Sequence, residues 1–245
     1  VVDAKTGTVW LLMTWNRGDD REPAIIDGTS IDTRRVYVTS SIDDGLTWAP
    51  PREITADVKP SDWTWYATGP GNGIQIERGK HAGRLVIPCD HMEAGTKRYY
   101  SHAIYSDDRG ATWRTGGPTP VDKVNECGVV ELADGRLMLN MRNYDRTTRA
   151  RQVAFSSDGG MTWTGQRFDA ALVEPICQAG IRRFSWPGRE RENAILFSNP
   201  ASDSARVNMT VRLSPDDGAT WPHKLTLHAG PGAYSDLAVF GRGRI

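Results

Sequence analysis

The sequence is poor in cysteine, in long apolar runs and in excess charge of either sign. Its three cysteines, Cys89, Cys127 and Cys177, are too few for a disulfide framework and lack the Cys-x-x-Cys spacing of a zinc site. The five histidines form no His-Glu-x-x-His or similar ligand array. We therefore expect small buried thiols beside strands, and neither a metal ion nor any other cofactor.

No apolar run approaches the roughly 20 residues that a membrane helix needs, which predicts no membrane segment. Lysine plus arginine number 30, and aspartate plus glutamate also number 30. Because these charges balance, nothing favours nucleic acid or an anionic membrane as a partner, and electrostatic specificity must be local. The oligomeric state is left open.

Four nearly identical stretches carry the strongest structural signal. They are SIDDGLTW from Ser41, SDDRGATW from Ser106, SSDGGMTW from Ser156 and SPDDGATW from Ser214. In the shared pattern Ser-x-Asp-x-Gly-x-Thr-Trp, the aspartate can accept backbone hydrogen bonds and the glycine can take the positive φ of a tight turn. The threonine returns to a strand, and the tryptophan offers a ring to bury beneath the loop. Each box is predicted to be a hairpin turn with a structural role.

The spacing of the boxes indicates the architecture. Equivalent aspartates at positions 43, 108, 158 and 216 lie 65, 50 and 58 residues apart. Such intervals fit units of about four strands, like propeller blades, and not the equal rungs of a solenoid. Short apolar or alternating runs such as RRVYVTS recur, whereas helical periodicity is scarce. We predict an all-β propeller, one domain over residues 1–245, with roughly four blades that carry boxes.

The clearest hairpin is VVELADGRLMLNMR, with Ala-Asp-Gly as its turn. In its second strand Leu137 and Leu139 share one face, whereas Asn140 and Arg142 share the other. Polar residues at the end of an apolar strand are typical of a strand that reaches a binding cavity. An arginine that extends to solvent is the ordinary alternative.

Several segments together resemble the exo-α-sialidases (neuraminidases), six-bladed propellers that remove terminal sialic acid from glycoconjugates. These segments are the four boxes, NECGVVELADGRLMLNMR, EPICQAG, SARVNMTVRLSPDDGATW and GPGAYSDL, in that order. The resemblance covers essentially all 245 residues. It implies sialylated glycans as partners and a retaining glycosidase mechanism.

The resemblance implies roles for four residues in catalysis and carboxylate binding. Tyr234 in GAYSDL falls on the nucleophile, and Glu126 in NEC falls on the glutamate that activates it. Arg142 and Arg206 fall on the second and third arginines of a triad for the substrate carboxylate; the spacing to the tyrosine favours Arg206 over Arg212. Guanidinium groups bind a carboxylate bidentately, and a neutral phenol avoids the repulsion that a carboxylate nucleophile would meet.

Two further residues are substrate-binding candidates by the same resemblance. Gln178 in CQAG matches a position that contacts the sugar, and Asp90 after LVIP sits where relatives line the pocket. The aromatic and glycine-rich stretch from Asp62 to Gln75 suits a loop over a sugar pocket, although its aromatic rings could equally pack between blades.

Two parts of the family pattern are absent from this sequence. These are an Arg-Ile-Pro motif that supplies the first triad arginine, and a loop aspartate that serves as general acid and base. REPA at Arg21 resembles the motif only superficially, because it follows a strand that reads as part of a later blade. Since the chain starts at Val1 and ends in FGRGRI where another strand is expected, we expect an excerpt that lacks the first blade and the C-terminal end. We expect this excerpt alone to be inactive or nearly so.

Two alternatives to a sialidase stay open. A propeller that only binds glycans or proteins predicts that Tyr234 and Glu126 lie beyond hydrogen-bond reach. A trans-sialidase, or a hydrolase of a related nonulosonic acid, would keep the same machinery and differ at the rim of the pocket. Location in the cell is unknown, with secretion or the periplasm slightly favoured.

Overall fold

The computed structural model describes residues 1–188 and 192–240 and consists of four antiparallel sheets with two short helices. Strands that follow one another in sequence are hydrogen-bonded neighbours within the sheets, as in propeller blades, except that the first two strands of the second sheet both pair with its third strand. The predicted all-β propeller with four blades is therefore confirmed. Residues 241–245, where the sequence predicts another strand to begin, lie outside the described residues. Within the described part, no helix is long and apolar enough to cross a membrane.

The blades follow one another along the chain. The first contains β1 (Val9–Trp15), β2 (Arg35–Ser41) and β3 (Arg52–Glu53). The second contains β4 (Trp63–Thr68), β5 (Ile74–Gln75), β6 (Leu85–Glu93), β7 (Tyr99–Ser106) and β8 (Arg114–Thr115). The third contains β9 (Val124–Glu131), β10 (Leu137–Asn143), β11 (Ala150–Ser156) and β12 (Thr164–Val173). The fourth contains β13 (Gly180–Ser185), β14 (Ala194–Pro200), β15 (Val207–Ser214) and β16 (His223–Pro231). The helix α1 (Glu22–Asp27) separates β1 from β2, and α2 (Thr55–Val58) precedes β4.

Each box connects the last two strands of its blade and is held by its own side chains. In the third blade, Asp158 Oδ1 accepts hydrogen bonds from Ser156 Oγ at 2.7 Å and from the backbone N–H of Thr162 at 2.9 Å. Asp158 Oδ2 accepts from the Thr162 hydroxyl at 2.6 Å. Gly160, with φ of 92°, adopts the predicted positive φ. The same bonds recur in the other three boxes, so the prediction of self-fastened turns is confirmed.

The box tryptophans pack between blades, with one exception. Trp113 is buried and contacts Trp10 of the preceding blade edge to face, with ring centroids 6.4 Å apart. Trp163 and Trp221 are likewise buried in clusters that include the preceding blade. Trp48 of the first blade is 42% exposed, so the prediction of a buried ring is wrong there. The reason is that the described residues contain no preceding blade to cover it.

The hydrophobic core is divided into three clusters, each between two neighbouring blades. On β6, Leu85 and Ile87 belong to the cluster that contains Val36 of the first blade. Val86, on the other face of β6, belongs to the cluster that contains Val129 of the third blade. The second blade is thus apolar on both faces, and each buried aliphatic side chain contributes about 1.5–3 kcal/mol.

The predicted hairpin is confirmed in the third blade. Leu137 pairs with Glu131 across an antiparallel turn in which Gly135 has φ of 86°. Leu139 joins the cluster towards the second blade, whereas Arg142 on the opposite face ends near a cavity.

The three cysteines are buried free thiols, as predicted. Among residues 1–188 and 192–240, no group of three or more His, Cys, Asp or Glu side chains is placed to hold a metal ion.

Candidate active site

A cavity of about 420 Å³ opens where the ends of several inner strands meet. Four residues that the sequence singled out line it: Asp90 on β6, Glu126 on β9, Arg142 on β10 and Tyr234 after β16. A larger cavity of about 690 Å³ elsewhere contains none of the predicted site residues. The smaller cavity is therefore the candidate active site.

Tyr234, Glu126 and Arg142 form a closed triangle of hydrogen bonds. The Tyr234 hydroxyl donates to Glu126 Oε1. Arg142 Nη1 donates to Glu126 Oε2 at 2.6 Å and to the Tyr234 hydroxyl at 3.2 Å. Glu126 and Arg142 belong to the β9–β10 hairpin, whereas Tyr234 lies 108 residues after Glu126. The triangle therefore depends on how the third blade meets the segment that follows the fourth.

The electrostatics of the triangle keep the phenol neutral. Burial, then the hydrogen bond to Glu126 and its charge, raise the pKa of Tyr234 to about 12, although Arg142 opposes this. Burial lowers the pKa of Arg142, but the hydrogen bond and charge of Glu126 outweigh it and the pKa is raised. Tyr234 is 48% exposed, so a ligand in the cavity can reach it. The result is a reachable neutral phenol beside a proton acceptor and a permanent cation.

Arg206 approaches the same tyrosine from the ring face. Its Cζ lies 5.8 Å from the Tyr234 ring centroid, and its Nη2 donates to Ile176 O at 3.1 Å. Among the described residues it forms no hydrogen bond or ion pair with Glu126, so it flanks the triangle without joining it. Arg212, which the spacing disfavoured, lies on β15 opposite Phe197, is 9% exposed and is not among the residues that line the cavity.

Gln178 lies two residues before β13 and binds the backbone of the chain beside Tyr234. Its Nε2 donates to Ser235 O at 3.0 Å and to Pro70 O at 3.2 Å, while its Oε1 accepts from Ser235 N at 3.0 Å. The side chain is buried, with 3% exposure. Its amide is thus engaged with the backbone, and contact with a sugar stays a prediction.

Asp90 lies in the cavity wall and is fully buried. Its Oδ1 accepts a hydrogen bond from Asn125 Nδ2 at 2.9 Å, and its Oδ2 has no partner among the described residues. Burial, reinforced by the charge of Glu126, raises the pKa of Asp90 well above its usual range, although Arg34 and Arg142 oppose this.

Comparison with known proteins assigns the chain to a family. The profile of the BNR repeat-like domain matches residues 1–245. The sialidase of Micromonospora viridifaciens is 36% identical over 250 residues, which cover 99% of this chain and 38% of that protein. Human Sialidase-3 is 30% identical, covering 98% of this chain and 66% of that protein. The solved structure of the Hadza microbial sialidase Hz136 matches with a TM-score of 0.82 at 33% identity, covering 94% of this chain and 45% of that one. The chain belongs to the exo-α-sialidase family.

The family resemblance read from the sequence is therefore confirmed. This sialidase-family chain spans less than half the length of the Micromonospora viridifaciens and Bacteroides fragilis relatives, 38% and 45% respectively. The leech intramolecular trans-sialidase matches with a TM-score of 0.72 at 24% identity, which shows the shared fold.

Several side chains that line the candidate active-site cavity were not predicted from the sequence. They include Thr14, Glu22, Arg34, Tyr99 and Tyr144. Tyr144 lies between Tyr99, stacked at 5.4 Å and 18°, and Arg142, whose Cζ is 5.1 Å from the ring centroid. This stack fixes the plane of the Arg142 guanidinium group. In the sequence, the feature that indicates the stack is a tyrosine two residues after the arginine.

The role of Arg34 in the cavity was only partly predictable from the sequence. It adjoins Arg35 at the start of β2, and strand alternation sends two neighbours to opposite faces. Arg35 pairs with Asp32 at 2.8 Å and Glu53 at 3.0 Å, whereas Arg34 turns into the cavity. The alternation alone does not tell which arginine faces inward.

The aromatic stretch from Asp62 to Gln75 divides between the two roles considered for it. Trp65 lines the cavity, although it does so from strand β4 and not from the loop that was expected. Trp63 is buried and stacks on His91 with ring centroids 3.4 Å apart, and Tyr66 is also buried.

Proposed function

We propose that the full-length protein carrying this chain is an exo-α-sialidase that removes terminal sialic acid from glycoconjugates with retention of configuration. The observation that carries this proposal is the hydrogen-bonded triangle of Tyr234, Glu126 and Arg142 at the cavity. The family assignment supports the substrate class, since its curated relatives are sialidases.

Tyr234 is the proposed nucleophile and Glu126 its base. As Tyr234 Oη forms a bond to the anomeric carbon, its proton passes to Glu126 Oε1, which already accepts the hydrogen bond. The bond to the glycan oxygen breaks, and that oxygen leaves with the electron pair. Water then displaces Tyr234, which recovers its proton from Glu126, while the attacking water gives up one proton to the same acid and base group that protonated the departing glycan oxygen. Two displacements at one carbon give net retention.

The arginines are the proposed carboxylate site. Sialic acid carries its carboxylate on the anomeric carbon, so cations beside the nucleophile bind it at the point of attack. Arg142 keeps an unused donor, because its Nε has no partner in the part of the chain that the structure describes. Arg206 is exposed over the ring of Tyr234 and is available as the second cation.

The departing glycan oxygen needs a proton, and the resemblance assigns this donor to a loop aspartate that the sequence does not match. General acid catalysis contributes roughly 10²- to 10⁴-fold to a rate. We therefore infer that residues 1–245 alone turn over little or no substrate, and activity is to be tested in the full-length protein.

The test combines turnover with stereochemistry. The full-length protein is given an aryl α-sialoside, and proton NMR follows which anomer of free sialic acid forms first. We expect the α-anomer, with Tyr234→Phe lowering kcat by at least about 10³-fold because the nucleophile is lost. Tyr37→Phe is the matched control, since Tyr37 contacts Glu53 on the outer side of the first blade.

Three results would count against this function. No turnover by the folded full-length protein would favour a binding propeller. First release of the β-anomer would contradict the double displacement. A main product other than free sialic acid would favour a trans-sialidase.

A further inference from the structure

Another cavity, of about 270 Å³, lies at the other end of strand β6 from the candidate active site. We call it the basic cavity and define it by six of its lining residues: Lys5, Lys80, His81, Arg84, Asp107 and Arg109. It shares no lining residue with the cavity of Tyr234. Arg84 directly precedes β6 and Asp90 lies on that strand, so a rise of about 3.3 Å per residue puts their Cα atoms roughly 20 Å apart.

Arg84 and His81 form the fixed wall of the basic cavity. The buried Arg84 donates from Nε to Asp107 Oδ1 at 2.7 Å and from Nη2 to Asp107 Oδ2 at 3.0 Å. Its Nη1 donates to the backbone oxygens of Asp158 at 3.2 Å and Gly159 at 3.1 Å. A Cβ at Gly159 would lie 2.9 Å from both Arg84 Nη1 and His81 Cγ, so glycine lets this wall pack against the third blade.

The carboxylates at the basic cavity are already bonded within the protein. Both oxygens of Asp107 accept from the Arg84 fork. Asp3, which is buried and also lines the cavity, accepts from Gln75 Nε2 at 3.1 Å and from the Thr6 hydroxyl at 2.9 Å. The carboxylates of the two adjacent boxes hold their own turns. Each of these acidic side chains is therefore committed to a neighbour in the fold.

Three cations of the basic cavity have no such partner. The side chains of Lys5, Lys80 and Arg109 are exposed, and they form no ion pair or hydrogen bond among the residues that the structure describes. The cavity thus combines a bonded acidic wall with three free donors that all carry positive charge.

His81 reports the sign of the local potential. Burial, followed by the charges of Arg84 and Lys80, lowers the pKa of His81, although Asp107 and Asp158 oppose this. The cations act on the ring more strongly than the carboxylates do. The basic cavity therefore has a positive potential, although the whole chain has no net charge.

The base of the basic cavity is a turn with free space above it. Gly79 and Gly83 have φ of 71° and 95°, and a Cβ at either position would meet no atom of the described residues within 4 Å. Ala82, between them, is exposed and also lines the cavity. The turn leaves room for a ligand group, and Ala82 is a position where a charge can be added without disturbing the wall.

We propose that the basic cavity is a second binding site, which takes a tetrahedral oxyanion: the sulfate or phosphate monoester group of a larger ligand. Lys5, Lys80 and Arg109 donate charge-assisted hydrogen bonds to its oxygens. Three separate cations suit an anion with three terminal oxygens better than a carboxylate with two. Because the site is remote from Tyr234, its ligand anchors the protein without filling the candidate active site.

The test measures binding by calorimetry on the full-length protein, so it does not depend on the proposed function. The probes are inorganic sulfate, inorganic phosphate, galactose 6-sulfate, glucose 6-phosphate, acetate and the two unmodified sugars. We expect the sulfate and phosphate probes to bind, more weakly at about 0.2 M than at about 0.02 M salt because exposed charges are screened. Acetate and the unmodified sugars are expected not to bind. The tighter of the two esters identifies the source of the oxyanion.

Two sets of variants locate the site. Ala82→Glu adds a negative charge and is expected to weaken binding of the tighter ester by about 10-fold or more, whereas Ala82→Gln, of equal size, stays within about 2-fold of wild type. The double variant Lys5→Gln with Lys80→Gln is expected to lose about 10-fold or more as well. The control is Lys224→Gln, because Lys224 is an exposed lysine of β16 that forms no ion pair among the described residues. Arg142→Met separates this site from the arginines of the candidate active site, and its affinity for the ester is expected to equal that of wild type.

Several results would overturn the proposal. Equal affinities of Ala82→Glu and Ala82→Gln would show that the anion does not bind at this turn. Loss of binding in Arg142→Met alone would place the anion at the candidate active site. Acetate that binds as tightly as sulfate would contradict the tetrahedral class, and the absence of binding by every probe at the lower salt would remove the site altogether. None of these results bears on sialoside turnover, which tests the proposed function separately.

Discussion

Glu126 helps to control the protonation of Tyr234. The carboxylate accepts the phenolic proton and places a negative charge beside the oxygen that would become anionic. We expect Glu126→Gln to lower the pKa of Tyr234 from about 12 towards its ordinary value of 10.0, since the negative charge is removed and the hydrogen bond passes to a weaker, neutral acceptor. Burial and Arg142 are unchanged by this substitution.

The pKa of Tyr234 is measurable from the ultraviolet absorbance of tyrosinate during an alkaline titration. The contribution of Tyr234 is isolated by subtracting the titration of Tyr234→Phe in the same background. An unchanged midpoint in Glu126→Gln would mean that burial alone sets the pKa and that the pair is not coupled.

The sequence predicted the reacting residues better than their surroundings. Glu126 and Arg142 lie on a single hairpin whose alternation is visible in the letters, and Tyr234 matched a family motif. Arg34 and Tyr144 carry no motif, and their positions depend on which way a side chain turns at the end of a strand. That direction is decided by contacts with residues far away in the chain, such as Trp65 for Arg34.

A buried ionic network joins the ends of β10 and β11 to the segments around β12 and β13. Arg151 Nη1 donates to Glu174 Oε2 at 3.0 Å and to Cys177 O at 2.7 Å, while its Nε donates to Asn140 Oδ1 at 2.7 Å. Glu174 Oε1 accepts from the backbone N–H of Asn143 at 2.9 Å. The network ties the strand that carries Arg142 to the segment that carries Gln178.

Breaking this pair is expected to be costly. Arg151→Met removes the nearer cation of the fully buried Glu174 carboxylate and leaves only Arg146 Nη1, 3.7 Å from Oε1, so we expect the free energy of unfolding to fall by about 3–5 kcal/mol. Urea unfolding followed by circular dichroism measures the change. Arg151→Met with Glu174→Gln should recover part of the loss, because the uncompensated charge is gone. A loss below about 1 kcal/mol in the single variant would show that the pair behaves like a surface ion pair.

The boxes show what local sequence can and cannot predict about an element. Their turn geometry is contained within eight residues, so it was predictable in full. The burial of the tryptophan depends on a neighbouring blade, so Trp113 and Trp48 differ although their boxes match. Patterns within a blade therefore predict turns and faces, but not which faces are covered.

The blades are stabilised mainly across their boundaries. Each of the three clusters contains residues of two blades, so a blade loses apolar contacts when its neighbour is absent. On β16, the last strand of the fourth blade, Leu225 and Leu227 are 64% and 61% exposed and share one face. The boxes in the sequence predicted the number of blades. The packing between blades was visible only in the three-dimensional structure.

The second blade contains a buried aromatic group that links stability to pH. His91 stacks on Trp63, His91 Nδ1 lies 3.0 Å from His102 Nδ1, and His102 Nε2 lies 3.2 Å from the Tyr66 hydroxyl. One Nδ1 must donate and the other accept, so both rings cannot be protonated without breaking the bond. Burial lowers the pKa of His91 to about 3, and burial followed by His91 lowers that of His102 well below its usual range.

Because both pKa values are lower in the folded protein than the 6.5 of a free histidine, the unfolded chain binds more protons below that pH. The two rings should therefore contribute a constant amount to the free energy of unfolding above about pH 6.5, and this contribution should fall as the pH drops towards 3, by about 1.4 kcal/mol per pH unit for each ring. His102→Gln should remove one ring's share of this slope between about pH 6 and pH 4.5, whereas Asp90, whose pKa is raised by burial, contributes equally to the slopes of wild type and variant. Urea unfolding at several pH values measures the slope, with the exposed His223→Gln as control. Equal slopes in wild type and His102→Gln would mean that the buried pair takes up protons without unfolding the blade.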